Sequence, residues 1–398
     1  MNSSNQSDMA PMHRVTHNLS RGPRAVYENA RAALRHRSGS LWVFGGASGK
    51  SYSDNSRELF ETVARLHPEV DLCWVMNQGA ADRELAASIG QVATRDTPAA
   101  HRLTAEADVI VFSHGAQDVP GMLWNRSAVR VRLGHGLTAF KRNRGRMPLS
   151  RRRMVAAVDL APVASTMEQN FKLEWGFRRE QLPITGLPRW DRVLRERERL
   201  PSIRRRRVLL APTWRSWHKA QDLQISGRLG PWLTLLTSRG LQRLAWAFDA
   251  ELVLYLHQNM RSEVLQRLQS PGHFSILDRD ADVEHVLAAA DLVVTDYSSI
   301  GWDALYAGVP TILYHYDRSE LERNVGSHLD LDKPLFGPTT RTARETLVGI
   351  EEALAGERGA AWIDLEKEWR QRAFAYVDQG NAERVLGEIT TLLAHRAR

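Results

Sequence analysis

The run Asp291-Leu292-Val293-Val294-Thr295-Asp296-Tyr297-Ser298-Ser299-Ile300-Gly301-Trp302-Asp303-Ala304-Leu305-Tyr306 decides the fold. It reads as a buried strand, a hydroxyl-rich turn and the opening of a helix. The first backbone N–H groups of a helix lack intrahelical partners, and the helix dipole favours negative charge beside them. Ser298 and Ser299 add hydroxyl donors at that spot. Gly308-Val309-Pro310-Thr311-Ile312-Leu313 follows as a turn into another buried strand. The result is a strand–helix–strand unit able to hold phosphate at its mouth. Plain capping is the competing account of Asp296 and the serines, since these residue types favour helix starts whether or not a ligand binds.

The same alternation extends outward over most of the chain. Leu41–Phe44, Asp71–Met76, Asp108–Ser113, Val129–Leu133 and Val158–Val163 read as buried strands. Asn55–Leu66, Ala80–Ile89, Pro98–Ala105 and Thr166–Trp175 read as helices. After a Pro/Arg-rich break at Pro201–Arg207 the plan repeats. The second set of strands is Val208–Ala211, Leu252–Leu256, Phe274–Leu277, Leu292–Thr295 and Thr311–Tyr314. Its helices are Trp232–Phe248, Ser262–Leu268, Val283–Ala289 and Ser299–Ala307, with a charged helical tail from Ala343 to Ala397. Alternating strands and helices imply α/β units with mostly parallel sheets covered on both faces. The expected organisation is a basic polar extension over 1–38, with a helix at Arg24–His36, then two Rossmann-like domains at 39–200 and 201–398. In such sheets ligands bind beyond the carboxyl ends of the strands.

Composition excludes several classes. With 398 residues, 43% hydrophobic and 25% charged, the chain matches a soluble globular protein large enough for two cores. No stretch approaches the roughly 18 consecutive apolar residues of a transmembrane helix. Met1–Arg14 is polar and has no apolar h-region, so it does not read as a secretory signal. The single cysteine, Cys73, lies in an apolar run and reads as a core thiol. The expected location is cytoplasmic.

Net charge is +8, and the excess is clustered. Lys141, Arg142, Arg144, Arg146, Arg151, Arg152 and Arg153 form one run, and Arg204 to Arg207 another. Such patches meet anionic lipid or acidic substrates, unless they are simply solvated faces. No nucleic-acid module accompanies them, so a nucleic-acid partner is not expected.

Polar residues recur at the ends of the strands. Val131-Arg132-Leu133-Gly134-His135-Gly136 places a histidine between glycines, where it can take a proton from an attacking hydroxyl near neutral pH. Ser113-His114-Gly115 has a similar setting, and position alone does not choose between the two histidines. Leu210-Ala211-Pro212-Thr213-Trp214-Arg215 offers a hydroxyl and a guanidinium, whose fork suits phosphate oxygens. Leu254-Tyr255-Leu256-His257 ends the next strand in a histidine. Gly186-Leu187-Pro188-Arg189-Trp190-Asp191 reads as a turn with either a site role or a local Arg189–Asp191 ion pair.

Two tempting patterns carry less. Gly46-Ala47-Ser48-Gly49-Lys50-Ser51 lacks the glycine that a P-loop needs at position 44, which is Phe44, and Tyr52-Ser53-Asp54-Asn55 then suits a turn and helix cap. Asp278-Arg279-Asp280 reads as capping of the helix at Val283 rather than as a metal pair. No cluster has metal-ligand spacing, and neither a metal nor a cofactor is expected.

Together these motifs resemble the CDP-glycerol glycerophosphotransferase family, whose members prime or polymerise teichoic acids. The landmarks are Tyr52-Ser53-Asp54-Asn55, Gly134-His135-Gly136, Gly186–Asp191, Ala211-Pro212-Thr213-Trp214-Arg215, Leu256-His257 and Thr295-Asp296-Tyr297-Ser298-Ser299. They run from about Leu41 to about Tyr316, most of the chain.

The resemblance implies a GT-B-like fold, two Rossmann-like domains facing across a cleft, with donor nucleotide held mainly by the second. It implies a CDP-glycerol or related CDP-polyol donor and a lipid-linked or glycan acceptor, with CMP released in teichoic-acid-like or capsule polymer synthesis. His135 would be the base, and His257 would orient the donor phosphate. Thr213, Arg215, Ser298 and Ser299, with Gly136 and Asp296 beside them, would bind the pyrophosphate, and Asp303 would reach the ribose. The Lys141–Arg153 run would meet the acceptor at an anionic membrane surface, placing the enzyme peripherally on the inner face of the plasma membrane.

Three of the motifs depart from the family's pattern. Leu137-Thr138 follow His135-Gly136 where Thr-Pro is usual, Gln258 follows His257 where proline is usual, and Ser216 stands where an acidic residue often follows the Thr-Trp-Arg run. Two other functions fit the same motifs: a GT-B glycosyltransferase using a nucleotide sugar, and a non-catalytic membrane-surface protein that keeps the fold.

Overall fold

Two parallel sheets organise the computed structural model, which describes residues 39–142, 149–215, 230–268, 273–278 and 281–396. The first sheet contains β1 (Leu41–Gly45), β2 (Asp71–Met76), β3 (Gln91–Thr94), β4 (Val109–Phe112) and β5 (Val129–Arg132), in the order β3-β2-β1-β4-β5. The second contains β6 (Arg206–Ala211), β7 (Ala250–Leu254), β8 (Phe274–Ile276), β9 (Leu292–Thr295), β10 (Thr311–Tyr314) and β11 (Thr339–Thr340), in the order β11-β10-β9-β6-β7-β8. Every strand pair among the described residues is parallel. Both sheets are therefore Rossmann-like, as the alternation of strands and helices predicts.

The central strands are apolar throughout because both of their faces are covered. β1, β4, β9 and β10 are buried along their whole length. In the first unit Phe44, Tyr52, Phe60 and Trp74 interlock, the Tyr52 and Trp74 rings standing edge to face at 4.6 Å. Cys73 is buried in this unit, and burial pushes its thiol up to about 12, as a core thiol should behave.

The units are not contiguous in sequence. Described residues 39–134, 149–161 and 385–396 form the first, and 135–142 with 162–384 form the second. The sequence reading divides the chain at 200 instead. Two local causes account for the difference. The C-terminal helix Asn381–Arg396 sends Val385, Leu386 and Ile389 into the first core, while the helix Arg189–Glu198 buries Trp190 in the second.

Several element expectations need correction. Val158–Val163 forms only isolated bridges, Leu160 to Val131 and Val163 to Ile184, because Pro162 has no N–H to continue a ladder. Trp232–Phe248 is two helices, Gly230–Leu236 and Arg239–Ala247, since the Ser238 hydroxyl accepts from Leu241 N at 3.1 Å and starts a new one. β3 is a polar edge strand with no apolar alternation to reveal it. The charged tail is three helices, Ala343–Ala355, Ala360–Ala373 and Asn381–Arg396. The extension 1–38, with the helix expected at Arg24–His36, lies outside the described residues.

Candidate active site

β6 is the first strand of the second sheet. The chain then runs to β7 and β8 on one side and to β9, β10 and β11 on the other. The carboxyl ends of β6 and β9 therefore flank the topological switch point, where ligands sit in such sheets. Ala211-Pro212-Thr213 leaves one strand there and Asp296-Tyr297-Ser298-Ser299 leaves the other.

Asp296 joins the two ends. Its carboxylate accepts from Thr213 N at 3.0 Å, from the Thr213 hydroxyl, from Arg215 Nη2 at 2.8 Å, from Trp232 Nε1 at 3.2 Å and from its neighbour Tyr297 N at 2.8 Å. Burial by itself pushes this carboxyl up. The Arg215 charge and the hydrogen bonds outweigh burial and hold the pKa below the usual carboxylate range. Its oxygens are thus occupied by the protein's own donors.

Arg215 is equally committed. Its side chain is only 3% exposed, and it donates to Asp296, to both carboxylate oxygens of Asp317 at 2.8 and 3.0 Å, and to the Thr213 carbonyl at 2.7 Å. The fork that the sequence offers to phosphate is turned inward. The Tyr297 and Tyr316 rings flank the guanidinium, their centroids 5.2 and 5.6 Å away.

Ser298 and Ser299 are half-buried ahead of the helix Ile300–Tyr306. The Ser298 hydroxyl accepts from Ile300 N at 3.3 Å, and the Ser299 hydroxyl donates to the His135 carbonyl at 3.5 Å. Capping and proximity to a candidate base therefore coexist in one turn. Gly136, with φ +114°, explains how the two turns come so close: a Cβ there would lie 2.7 Å from Ser299 Cβ and 2.7 Å from Arg189 Nη2. The glycine admits the side-chain atoms of Ser299 and Arg189. The His135 side chain itself is exposed.

Residues 137–142 hold this turn against the second unit. Leu137, Ala139 and Phe140 are buried, and the Phe140 ring packs against Tyr297, Trp302 and His315. The chain is also tied by backbone bonds, His328 N to Ala139 O at 3.1 Å and Arg142 N to Gly326 O at 3.0 Å. Lys141 lies between these ties and is half-buried. Burial lowers its ammonium pKa, Asp296 opposing the drop and Arg215 adding to it.

His257 follows β7, and its ring stacks on Trp214 at 5.2 Å and 10°. Burial lowers its pKa first and the Lys141 charge lowers it further, so the imidazole is neutral near pH 7. His135, Thr213, His257, Ser298 and Ser299 thus belong to one unit, with Lys141 among them.

Asp303, expected at the ribose, has protein partners in this structure. It is buried, ion-paired to Arg189, and accepts from Trp190 Nε1 at 2.7 Å. Asp191 likewise accepts from Asn381 N at 3.1 Å and Ala382 N at 2.8 Å at the start of the last helix. Arg189 and Asp191 therefore each hold a partner far away in sequence. Lone residues give no sign of such partners in sequence.

His114 has its own task in the first unit. Its Nδ1 accepts from Ala47 N at 3.2 Å, and Asp118 accepts from the backbone N–H groups of Ser48, Ser113, His114 and Gly115. These bonds hold the Gly46–Ser51 loop, whose Ala47 and Ser48 have positive φ, and the helix begins only at Asp54. That is not P-loop geometry.

The basic runs divide. Arg142 pairs with Glu174 at 3.1 Å. Arg152 and Arg153 are exposed on the helix Leu149–Ala157. Arg144, Arg146 and the Arg151 side chain lie outside the described residues. The second run is spent internally: Arg204 on Asp291, Arg205 on Asp249, Arg206 on the Leu354 carbonyl and Arg207 on Glu251. The cap expected from Asp278-Arg279-Asp280 is supplied by Asp282, which accepts from His285 N at 3.2 Å, while Arg279 and Asp280 lie outside the described residues.

The chain matches the family described as CDP-Glycerol:Poly(glycerophosphate) glycerophosphotransferase over residues 29–391. Minor teichoic acid biosynthesis protein GgaB of Bacillus subtilis (strain 168) is 18% identical over 378 residues, covering 88% of this chain. The chain spans 40% of the length of that relative. The wall teichoic acid polymerase TagF has a similar structure, with a TM-score of 0.70 at 18% identity over 97% of this chain and 98% of that one. A TagF variant soaked with CDPG gives 0.71 at 17% identity, over 98% of this chain and 100% of that one. A putative UDP-N-acetylglucosamine 2-epimerase from Listeria monocytogenes gives 0.58 at 13% identity, over 89% of this chain and 97% of that one. The likeness to TagF shows a GT-B-like fold built from two Rossmann-like domains. The chain belongs to the CDP-glycerol:poly(glycerophosphate) glycerophosphotransferase family.

Proposed function

We propose that the chain transfers a polyol phosphate from CDP-glycerol, or a related CDP-polyol, to a hydroxyl of a lipid-linked or glycan acceptor. CMP is the leaving group, and the product is a teichoic-acid-like or capsule polymer. One observation carries this reading: in a chain of this family, His135, His257, Thr213, Ser298 and Ser299 lie in one unit, around the switch point of its sheet.

The acceptor oxygen attacks the β-phosphorus, and the bond from that phosphorus to the bridging oxygen breaks as CMP departs. His135 takes the acceptor proton at its imidazole. His257 sits beside the transferring phosphate, where its neutral ring donates a hydrogen bond from one nitrogen. The hydroxyls of Thr213, Ser298 and Ser299 orient the pyrophosphate. Arg215, Asp296 and Asp303 act from behind, holding the turns in place. Phosphoryl transfer is catalysed mostly by positioning and electrostatic stabilisation, which this division of labour supplies. The exposed Arg152 and Arg153 face an anionic membrane surface in this scheme, keeping the enzyme peripherally at the inner face of the plasma membrane.

The test is acceptor-dependent CMP release from CDP-glycerol by wild type, His135→Ala and His257→Ala, with folding checked by circular dichroism. Loss of about 100- to 10,000-fold in each variant is expected for groups that handle the proton or the transferring phosphate. Turnover of a UDP-sugar, with no binding of CDP-glycerol, would overturn the donor assignment in favour of glycosyl transfer. Binding of neither nucleotide, with His135→Ala silent, would point to a non-catalytic protein.

A further inference from the structure

Lys141 is a half-buried ammonium in an unusual position. It follows Phe140, whose ring is wedged among Tyr297, Trp302 and His315, and backbone bonds at Ala139 and Arg142 clamp it on both sides. The lysine backbone is thereby held beside the turn that carries Ser298 and Ser299. Among the described residues, no carboxylate lies within ion-pair distance of its ammonium group. Asp296, whose field it feels, is already occupied by Thr213, Arg215, Trp232 and Tyr297. Its neighbour in sequence, Arg142, does have a carboxylate partner in Glu174.

A cation drawn away from water without a counter-ion is costly unless an anion completes it. His257, its ring stacked on Trp214 at the end of the neighbouring strand, feels the same charge. We propose that Lys141 is a donor-phosphate ligand, its ammonium contacting the pyrophosphate of the CDP-linked donor beside His257, and that it does not belong to a membrane-facing basic patch. The proposal rests on the transferase reading above. It adds to that reading the cation that Arg215, turned inward, does not supply. Lysine suits the task because its compact charge and rotatable donors follow a phosphate that moves during transfer.

The rival account is charge balance. Arg215 faces two carboxylates, Asp296 and Asp317, and Lys141 would offset the excess negative charge without touching any ligand. The two accounts differ in what Lys141 recognises.

The experiment compares the dissociation constants of CDP-glycerol, CDP and CMP by calorimetry, with full-length wild type, Lys141→Met, Lys141→Gln and Lys141→Arg. Thermal melting is recorded for each. The expected result is that Met and Gln weaken CDP and CDP-glycerol by about 10- to 100-fold, as for one charge-assisted phosphate contact. CMP, which lacks the second phosphate, should change by less than about threefold, and Arg should recover most of the loss. If the CDP-to-CMP preference of wild type survives in Met and Gln, the phosphate contact is wrong and the transferase reading stands. A lowered melting temperature with that preference intact would establish charge balance instead. If wild type binds none of the three nucleotides, the donor reading itself fails, and the proposal with it.

Discussion

Gly136 and Ser299 are pressed together: a Cβ on the glycine would stand 2.7 Å from the serine Cβ. The turn that carries the candidate base and the turn that carries the candidate phosphate hydroxyls are thus fitted to one another within the second unit. Gly136 also has φ +114°, a conformation that side chains rarely adopt. Its sequence neighbour His135 offers its carbonyl to the Ser299 hydroxyl at 3.5 Å, so a shift on either side moves both.

Gly136→Ala combines strain with a clash and should destabilise the protein by about 1–3 kcal/mol. CMP release should fall by at least about 100-fold, because a displacement near 1 Å is enough to misplace a base. Melting curves and CMP assays check this. A variant with unchanged melting temperature and unchanged turnover would show that the close approach does not matter.

Arg215→Met leaves the buried Asp296 and the half-buried Asp317 without their cation. Breaking a buried pair in this way costs about 3–5 kcal/mol. Chemical denaturation should report that loss, and Thr213→Val, which removes only the hydroxyl bond to Asp296, should cost about 1 kcal/mol. Equal stability of Arg215→Met and wild type would remove the anchoring role.

Asp303→Asn separates anchoring from ribose recognition. The variant loses its ion pair with Arg189 and should be destabilised by about 3–5 kcal/mol. The ratio of affinities for CDP and its 2′-deoxy analogue should stay as in wild type, since the side chain is turned toward Arg189 and Trp190. A collapse of that ratio would return Asp303 to the ribose.

His315 predicts a pH dependence of stability. It is buried, its Nε2 lies 3.1 Å from the Asp296 carbonyl, and burial lowers its pKa from 6.5 to about 4. The unfolded chain binds a proton between those values and the folded chain does not. Stability from the neutral ring is therefore complete above about pH 6.5 and is lost as pH falls toward 4, on the order of 3 kcal/mol in all. His315→Phe should flatten that part of the stability-versus-pH curve measured by urea unfolding. An unchanged slope would assign it to other groups.

Much of the fold was legible because its signals are local. β9 and β10 have the bounds that their apolar runs imply, Leu292–Thr295 and Thr311–Tyr314. β3 was not legible, because an edge strand pairs on one side only and Gln91-Val92-Ala93-Thr94 carries no apolar pattern. Arg189-Trp190-Asp191 looked like a turn and is the first turn of a helix, its stability resting on Asp303 and Asn381, far away in sequence.

The sequence alone determined the alternation of strands and helices, the glycines about His135, and the placement of polar residues at strand ends. These follow from periodicity and turn chemistry, which act over a few residues. Only the tertiary structure decided which of those polar residues face inward. Arg215, Asp296 and Asp303 carry the same chemical groups as surface ligands would, yet each is buried against a partner tens of residues away. A buried charge must find its counter-charge wherever packing brings one, because the cost of leaving it unpaired exceeds any local preference. Lys141 stands in a basic run in the sequence, and the structure adds that its backbone is clamped on either side, by Phe140 packed on Trp302 and by the bonds at Ala139 and Arg142.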